Sequence, residues 1–549
     1  MEGSRASERV AGGSIAPTSW GPLGAAVATV LAAWLRLYHL DRQVPVDDEW
    51  HALHKLMSSG YGEIFSSFGV ADHSIPLTLF YKLLAQTIGL DEIGLHILQA
   101  LSGIALVAVV AWIAWRTTAS SAVTVLLSFL VAGAPFLVLY SRFARPYAIT
   151  TLLVVIGLAL LWRWRERRSR RLGAAVCALF ALSAWLHPLT ALYAMAALAY
   201  VLAEDVGERR AQAARATFAL GLAVGLSILA FLAVPFLNDF GNLSSKAGRH
   251  VPDGYTLFRM ASIFLGGMPD AVTGAMVLVS GFGAWHFWRA HRALGGYLAF
   301  AVLAPVLAVL LLGAHWTHQG HTFGRYVFPA QVLLLFWFAY GSVMIVRAIA
   351  RRPVMPLEMA VAVAMAVSYL AHGPAIQQVR KLDAWYAHFY FHFDYVRAHN
   401  VLAEYWKDSP PPTFYRVLAD LPRGTAPVIQ APFVFAAPVN RIAKYAQHHR
   451  QREFAGLMHD LCVPGPYYGE VPHDRRFRFK SLVFLDDPAA VRATGARYLL
   501  VHRDIVPGES FAAYDQCVAA LKRLYGEPVD VDDRVTAFDL RAAVPRRLQ

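Results

Sequence analysis

Three consecutive carboxylates, Asp47, Asp48 and Glu49, follow the first long apolar run of this 549-residue chain, and His51 and His54 come directly after them. A carboxylate next to a bound hydroxyl group can act as a general base. A carboxylate in the first turn of a helix can instead cap the helix and interact with its dipole. For the triplet alone, capping is the simpler explanation, so residues elsewhere in the chain must decide between the two.

Ionisable and aromatic residues also collect at the ends of other apolar runs. They occur in the segments HSIPLTLFYK, YSRFARPY, WLHPLTALY and HQGHTFGRY and comprise His73, Lys82, Arg142, Arg145, Tyr147, His187, Arg325 and Tyr326. Guanidinium groups bind phosphate through paired N–H donors, and ionisable residues at membrane depth are expensive enough to be functional candidates. Each arginine also has a purely structural explanation, in which its long side chain reaches from an apolar surface to water.

The composition places these residues in a membrane protein. Hydrophobic residues make up 57% and charged residues 16% of the chain, and the mean hydropathy is +0.42, which is too apolar for a soluble protein of this size. Runs long enough to cross a bilayer as helices predict about eleven spans, near 20–39, 93–115, 121–140, 146–163, 172–186, 189–204, 214–236, 271–288, 293–314, 326–347 and 354–372. Residues 1–376 therefore form a predicted transmembrane domain.

The sequence changes in texture after this region, because charged residues, prolines and short apolar runs alternate from residue 377 to residue 549. The segments APVIQAPF, ARYLLVHRD and VTAFDL are predicted strands, and DPAAVRATG and FAAYDQCVAALKRLYG are predicted helices. This alternation predicts a soluble α/β domain. The aromatic approach to it, AWYAHFYFHFDYV at residues 384–396, is typical of an interfacial belt, with a sugar platform as the alternative.

Basic residues set the predicted orientation of the spans. The net charge of +13 does not indicate a nucleic-acid partner, because much of the surplus arginine lies in short loops such as RWRERRSRR at residues 163–171. Arginine in such loops marks the cytoplasmic side. The N-terminus is then cytoplasmic, and an odd number of spans places the C-terminal domain outside. We expect a multi-pass protein of the plasma membrane, which in a bacterium is the inner membrane.

The first outer loop, from about residue 41 to residue 92, is too long for a simple turn. Its second half is apolar on one face and carries Lys82 and Gln86 on another, which predicts helices that lie in the membrane interface. In this topology the acidic triplet and the other candidate residues converge on the outer face of the membrane, beneath the soluble domain. This convergence predicts a site for a lipid phosphate and an acceptor hydroxyl.

Cysteine and histidine patterns give no firm metal site. The three cysteines, Cys177, Cys462 and Cys517, form no CxxC pair, although the last two can form a disulfide if the tail faces an oxidising compartment. His51 and His54 have a spacing that zinc accepts, but no third ligand is specified. We therefore assign no residue to a metal site, and a divalent metal is possible but not indicated.

Four segments resemble, in order, the motifs of the GT-C glycosyltransferases, in the branch of the protein O-mannosyltransferases and the bacterial aminoarabinose transferase of lipid A. They are DDEWHALHKLMSSG, HSIPLTLFYKLLAQTIGLDEIGLHILQALSGIAL, LYSRFARPYAITTLLVVIGLALL and GRYVFPAQVLLLF. The resemblance covers residues from about 20 to about 340 and rests on the order and placement of the motifs. It implies a GT-C type fold, a polyprenyl-phosphate-linked sugar donor, and inverting transfer outside the membrane to an acceptor hydroxyl that the sequence does not identify.

The resemblance also implies roles for individual residues. Asp48 and Glu49 match the Asp-Glu pair of the family, with Asp48 as the expected general base and Asp47 as an ambiguous neighbour. The remaining matches are His73 in the interfacial helix, Arg145 and Tyr147 in the Arg-Pro-Tyr turn, and Arg325 and Tyr326 in the later Arg-Tyr pair. Arg145, Arg325 and one of Lys82 and Arg142 are expected to hold the phosphate. Arg142-Phe143 and His96 depart from the family pattern, which leaves the sugar and any metal open.

Three other functions remain as alternatives. A transporter or lipid flippase tends to place polar residues near the bilayer midplane and often has internal repeats, whereas here the polar residues lie toward one end of the spans. A non-catalytic scaffold would tolerate neutralisation of Asp48 and Glu49. An oligosaccharyltransferase of the same superfamily usually has a second acidic motif, which YSRFARPY does not supply.

Overall fold

The computed structural model describes residues 20–38, 40, 48–69, 73–248, 250–352, 354–372, 411–422, 424–432, 449, 451–458, 461–462, 482–503 and 513–541. Asp47 and the aromatic segment 384–396 lie outside these residues, so their predicted roles stay predictions. Within the described residues the chain forms a large helical domain followed by a smaller domain with a β-sheet.

The helical domain contains eighteen described α-helices, which we number in chain order. They are α1 Trp20–Leu37, α2 Glu49–Ser58, α3 Tyr61–Ser66, α4 Ile75–Gln86, α5 Glu92–Thr118, α6 Ser121–Gly133, α7 Pro135–Ser141, α8 Tyr147–Arg167, α9 Arg170–Leu186, α10 Ala191–Gly207, α11 Ala211–Asn238, α12 Phe240–Ser245, α13 Gly254–Phe264, α14 Asp270–Ala290, α15 Arg292–Leu312, α16 Gly320–Tyr326, α17 Ala330–Ala350 and α18 Met355–His372. A 3₁₀ turn, Pro188–Thr190, precedes α10.

A helix lies in each of the eleven segments predicted to span the membrane. Eight of the described helices are long and apolar enough to cross a bilayer, and a bent pair, α6 with α7, makes nine if it is one span. The remaining two, α9 and α18, are shorter apolar helices, so length and composition support eight or nine candidate spans instead of eleven. The chain is thus a multi-spanning helical membrane protein, and the prediction of this fold class is confirmed.

The break between α6 and α7 is built around a proline and a buried arginine. The two helices meet at an angle of 54°, and Pro135, at the start of α7, has no N–H to give to the Val131 carbonyl one turn earlier. Arg36 of α1 donates to that carbonyl at 3.3 Å and to the Ala132 carbonyl at 3.0 Å. In a bilayer such freed carbonyls need protein partners, so Arg36 stabilises the bend.

Small residues allow α14 and α17 to approach each other closely. A Cβ on Gly283 would lie 2.0 Å from the Trp337 carbonyl oxygen, and a Cβ on Gly341 would lie 2.2 Å from the Val279 carbonyl oxygen. The two backbones are therefore in direct contact, which is how membrane helices associate in the absence of a hydrophobic driving force between them. The close pair fixes α17, which follows the α16 segment of the site described below.

Helices α2, α3 and α4 fill the long connection between α1 and α5. Their inward faces form one apolar cluster that includes Leu53, Leu56 and Tyr81, while Leu83 and Ile88 are exposed. Lys82 does not lie on an exposed polar face as predicted, because its side chain is 8% exposed and its Nζ donates to the Leu56 carbonyl at 2.8 Å. The ammonium group ties α4 to α2.

The smaller domain is a mixed sheet covered on both faces. Six strands, β1 Val428–Ala431, β2 Glu453–Leu457, β3 Leu482–Phe484, β4 Tyr498–His502, β5 Asp530–Val531 and β6 Val535–Asp539, lie in the order β3-β2-β1-β4-β6-β5. The four strands β3, β2, β1 and β4 are parallel, and β6 is antiparallel to β4 and β5. Central strands β1 and β4 are buried along their whole length, as continuous apolar strands between two helical layers should be.

Three helices accompany this sheet: α19 Phe414–Asp420, α20 Pro488–Ala493 and α21 Tyr514–Tyr525. The three predicted strands and two predicted helices of the tail are confirmed as β1, β4, β6, α20 and α21. Strands β2, β3 and β5 were not predicted, because they are short and lie in polar sequence. Residues Ala455, Leu457, Leu482 and Phe484 of β2 and β3 join the apolar cluster of α2 and α4, so the described parts of both domains contact each other.

The hypothetical pairing of Cys462 with Cys517 is present in the structure as a disulfide. Cys517, on α21, is fully buried against the sheet. The bond closes a separation of 55 residues, and a native disulfide over a loop of this size stabilises a small domain by about 4 kcal/mol. A stable disulfide also fits an extracytoplasmic tail.

We expect thiol labelling of denatured, unreduced protein to detect one reactive cysteine per chain, Cys177, and labelling after reduction to detect all three. The control variant Cys177→Ala should give none before reduction and two after it. Three labelled thiols in the unreduced wild-type protein would contradict the disulfide.

Candidate active site

Asp48 and Arg325 form an ion pair at the end of the bundle where α1 ends and α5 begins. The Arg325 Nη1 donates to the Asp48 Oδ2 at 2.5 Å, although the two residues are 277 positions apart. Asp48 stands at the N-cap position of α2, but its side chain makes no capping hydrogen bond. Both side chains are 16% exposed. The capping explanation therefore does not describe Asp48, whose carboxylate is paired with Arg325 and partly exposed.

Glu49 points in another direction from its neighbour. Its Oε1 lies 2.6 Å from the His96 Nε2 and accepts a hydrogen bond from the Ala144 amide at 2.7 Å. The side chains of Glu49 and His96 are fully buried. A carboxylate in this position has no open face for a substrate, which favours a structural role over the predicted catalytic role.

Arg145 brings a second guanidinium to the same place. Its side chain is 8% exposed, and its Nε and Nη1 have no hydrogen-bond partner among the described residues. It interacts with the Tyr147 hydroxyl and lies within electrostatic range of Asp48 and Arg325. Buried N–H groups without partners are costly, so Arg145 offers donors that a bound anion can use.

His187 and two tyrosines complete the cluster. The His187 ring lies 5.4 Å from the Tyr147 ring and 6.3 Å from the Tyr326 ring, measured between centroids. Burial lowers the pKa of His187 to about 3, and the guanidinium groups of Arg145 and Arg325 act in the same direction. His187 is therefore neutral at physiological pH. The structure thus brings together six predicted site residues: Asp48, Arg145, Tyr147, His187, Arg325 and Tyr326.

His73 lies just before α4 and is 3% exposed. Burial lowers its pKa to about 4, with the Lys55 ammonium contributing in the same direction. Its Nε2 has no hydrogen-bond partner among the described residues. His73 is therefore a neutral imidazole that feels the charge of Arg145 from the edge of the cluster.

Two predicted phosphate ligands have partners in the protein itself. Lys82 donates to the Leu56 carbonyl, as described above. Arg142 is fully buried, and its Nη1 donates to the carbonyls of Leu35, Arg36 and Tyr38 at 3.2, 3.3 and 2.8 Å. These are carbonyls that the end of α1 leaves without helical partners. Both side chains thus hold helices in place.

The described residues contain no group of three or more His, Cys, Asp or Glu side chains arranged to hold a metal ion. The side chains of His51 and His54 are not among those described, so the weak zinc alternative for them is not tested. Asp48 has a guanidinium partner.

Two residues at the site were not among the predicted site residues. His96 binds Glu49, and Tyr140 is 2% exposed and interacts with Arg325 next to Asp48. His96 carried a usable signal, because an ionisable residue inside an apolar span is a functional candidate. Tyr140 carried none, since a tyrosine in an apolar run is indistinguishable by type from an ordinary core residue.

No protein-family model and no curated sequence matches this chain. Three solved structures are similar in shape at low identity. ArnT from Cupriavidus metallidurans bound to undecaprenyl phosphate is 14% identical, with a TM-score of 0.44 over 96% of this chain and 100% of that chain. The same protein in the apo state is 13% identical, with a TM-score of 0.47 over 96% and 99%. Arabinosyltransferase EmbB from Mycobacterium smegmatis is 14% identical, with a TM-score of 0.41 over 67% and 42%.

The lowered pKa of His73 predicts an acid-sensitive fold. As the pH falls from about 6.5 toward about 4, the unfolded state binds a proton at His73 that the folded state does not bind, so the free energy of unfolding decreases. We expect His73→Asn to lose less thermal stability than the wild type between about pH 7 and about pH 4.5. His291→Asn is the control, because His291 is an exposed histidine between α14 and α15. An equal loss of melting temperature in all three proteins would contradict the burial of a neutral His73.

Proposed function

We propose that this protein is a membrane glycosyltransferase that moves a sugar from a polyprenyl-phosphate-linked donor to an acceptor hydroxyl on the extracytoplasmic side, with inversion. The observation that carries the proposal is the meeting of Asp48, Arg325 and Arg145 at the end of the bundle. A lipid-linked phosphate needs cations at the membrane boundary, and an acceptor hydroxyl needs a base beside them. The cluster contains both.

Asp48 is the proposed general base. It is the carboxylate of the Asp48-Glu49 pair that is partly exposed, whereas Glu49 is buried against His96. Asp48 takes the proton of the acceptor hydroxyl as its oxygen attacks the anomeric carbon, the bond from that carbon to the phosphate oxygen breaks, and the polyprenyl phosphate leaves. Attack from the face opposite the leaving group inverts the configuration. Arg325 also holds the Asp48 carboxylate in place beside the phosphate site.

Arg145 and Arg325 are the proposed phosphate ligands. Negative charge grows on the phosphate as the glycosidic bond breaks, and fixed donors in a site poor in water stabilise it more than water does. Arg145 supplies N–H groups without other partners among the described residues, and Arg325 links the phosphate to the base. Tyr147 orients Arg145 through its hydroxyl, and neutral His187 adds no charge that would hold the product phosphate.

Asp48→Asn should abolish transfer while leaving folding intact. The amide keeps the size of the side chain but cannot accept the proton, so we expect kcat to fall at least about 100-fold. The measurement is transfer from a polyprenyl-phosphate sugar to a panel of hydroxyl acceptors, scored by mass spectrometry of the products. Asp253→Asn is the matched control, because Asp253 caps α13 from an exposed loop and asparagine caps a helix as well as aspartate.

A fully active Asp48→Asn enzyme would remove Asp48 as the base. A wild-type protein that binds or translocates the lipid-linked sugar but never transfers it would instead support the transporter alternative. A scaffold would bind no lipid-linked sugar at all. The same purified proteins therefore separate the three functions.

Arg145→Gln should weaken phosphate binding more than it weakens folding. We expect the Kd for undecaprenyl phosphate, which is the ligand of one of the structurally similar proteins, to rise about tenfold or more, because one charge-assisted hydrogen bond is worth about 1.5–3 kcal/mol. Arg259→Gln is the control, since Arg259 pairs with exposed Asp270 on α14. An unchanged Kd in Arg145→Gln, measured by titration in detergent, would contradict its role as a phosphate ligand.

A further inference from the structure

The contact between Glu49 and His96 takes no part in the chemistry proposed above. Both side chains are fully buried, whereas those of Asp48 and Arg325 are 16% exposed. A fully buried pair cannot touch an acceptor or a phosphate, so any effect on transfer must pass through its neighbours. Burying two ionisable groups is costly unless they are paired and hydrogen-bonded, which raises the question of what this pair holds in place.

The neighbours along the chain are the two halves of the proposed site. Glu49, the first residue of α2, directly follows Asp48. Its Oε1 accepts a hydrogen bond from the backbone amide of Ala144, the residue before Arg145. His96 lies on the second turn of α5, a candidate span. One carboxylate oxygen therefore joins the segment of the base, the segment of the phosphate ligand and a membrane helix.

The hydrogen bonds around His96 require a proton between the two side chains. The His96 Nδ1 lies 2.6 Å from the Glu92 carbonyl oxygen, which can only accept, so Nδ1 carries a hydrogen. If Nε2 were bare and Glu49 ionised, two lone pairs would face each other at 2.6 Å. The contact is favourable only when a proton lies between Nε2 and Oε1, either as imidazolium with carboxylate or as imidazole with carboxylic acid.

We infer that Glu49 and His96 are a protonated positioning pair, which fixes Asp48 relative to Arg145 and must keep its shared proton for transfer to occur. This inference rests on the proposed function and adds to it a regulation by pH. Loss of the proton would make the contact between the two side chains repulsive and would release the segments that carry Asp48 and Arg145. Among the described residues, the charged or titratable groups near the pair are Asp48 before α2, Tyr81 on α4, Asp91 and Glu92 at the start of α5, Arg145 in the loop before α8 and Arg452 just before β2.

The first arm of the test measures the pair without using activity. Glu49→Leu removes the carboxylate that the Ala144 amide and His96 contact, and His96→Leu removes the imidazole from the buried Glu49 carboxylate, so each should lower the melting temperature. The double variant removes both polar groups and should lose less than the sum of the two single losses. Strictly additive losses would show that the pair is not coupled and would overturn the inference.

The second arm measures how kcat depends on pH. We expect wild-type kcat to fall on the alkaline side as the shared proton is lost. His96→Gln keeps an N–H donor for the Glu49 Oε1 but cannot titrate, so it should retain transfer and lose that alkaline fall. His96→Leu has no donor and should lose up to about 100-fold in kcat at every pH, as expected for misplaced catalytic groups.

The outcomes separate this inference from the proposed function. A His96→Leu enzyme with wild-type kcat, a wild-type profile without an alkaline fall, or an unchanged fall in His96→Gln would overturn the positioning role and leave Asp48 as the base. A fully active Asp48→Asn enzyme would remove Asp48 as the base, and a wild-type protein that transfers no sugar would overturn the proposed function. In either case the stability arm would still decide whether the pair is coupled. Folding of every variant is checked by size-exclusion chromatography, so loss of the fold is not mistaken for loss of transfer.

Discussion

The pairing of charge at the membrane boundary is the constraint on which the rest of this structure depends. A charge that leaves water must find an opposite charge or several hydrogen bonds, because the low-dielectric interior does not stabilise it otherwise. Two neighbouring acids meet this demand in different ways: Glu49 is buried against His96, and Asp48 is paired with Arg325 at a partly open surface. Two residues of the same chemistry therefore stand in different environments, and only Asp48 is partly exposed.

The same constraint explains how the surrounding helices are held. Arg36 donates to carbonyls at the broken end of α6, and Arg142 donates to carbonyls at the end of α1. The two guanidinium groups therefore connect α1 and the α6–α7 bend in both directions. This double connection fixes the start of the loop that leads through Ala144 and Arg145 to α8. Arg142, which the sequence suggested as a phosphate ligand, thus stabilises the helices around Arg145 and Arg325.

The smaller domain contributes to the site through packing. Apolar residues of β2 and β3 join the cluster that supports α2 and α4. Asp48 is the N-cap residue of α2, and Glu49 is its first residue. The disulfide between Cys462 and Cys517 holds α21 against the sheet to which β2 and β3 belong. A displacement of the sheet would therefore be passed through these packing contacts to α2 and to the proposed base just before it. Among the described residues, no side chain of the sheet enters the cluster of charged residues.

The sequence by itself determined the membrane class, the position of the helices and the residue types of the site, because apolar runs, arginines in short loops and acids at span ends are local signals. It also determined β1, β4 and β6, but not the short strands β2, β3 and β5, which lie in polar sequence. Only the tertiary structure decided the partner of each charged residue. Asp48 meets Arg325 across 277 residues, Glu49 turns to His96, and Lys82 and Arg142 bind carbonyls. The partner of a charged side chain is set by what the fold brings near it, and residue type and spacing along the chain carry no record of that neighbour.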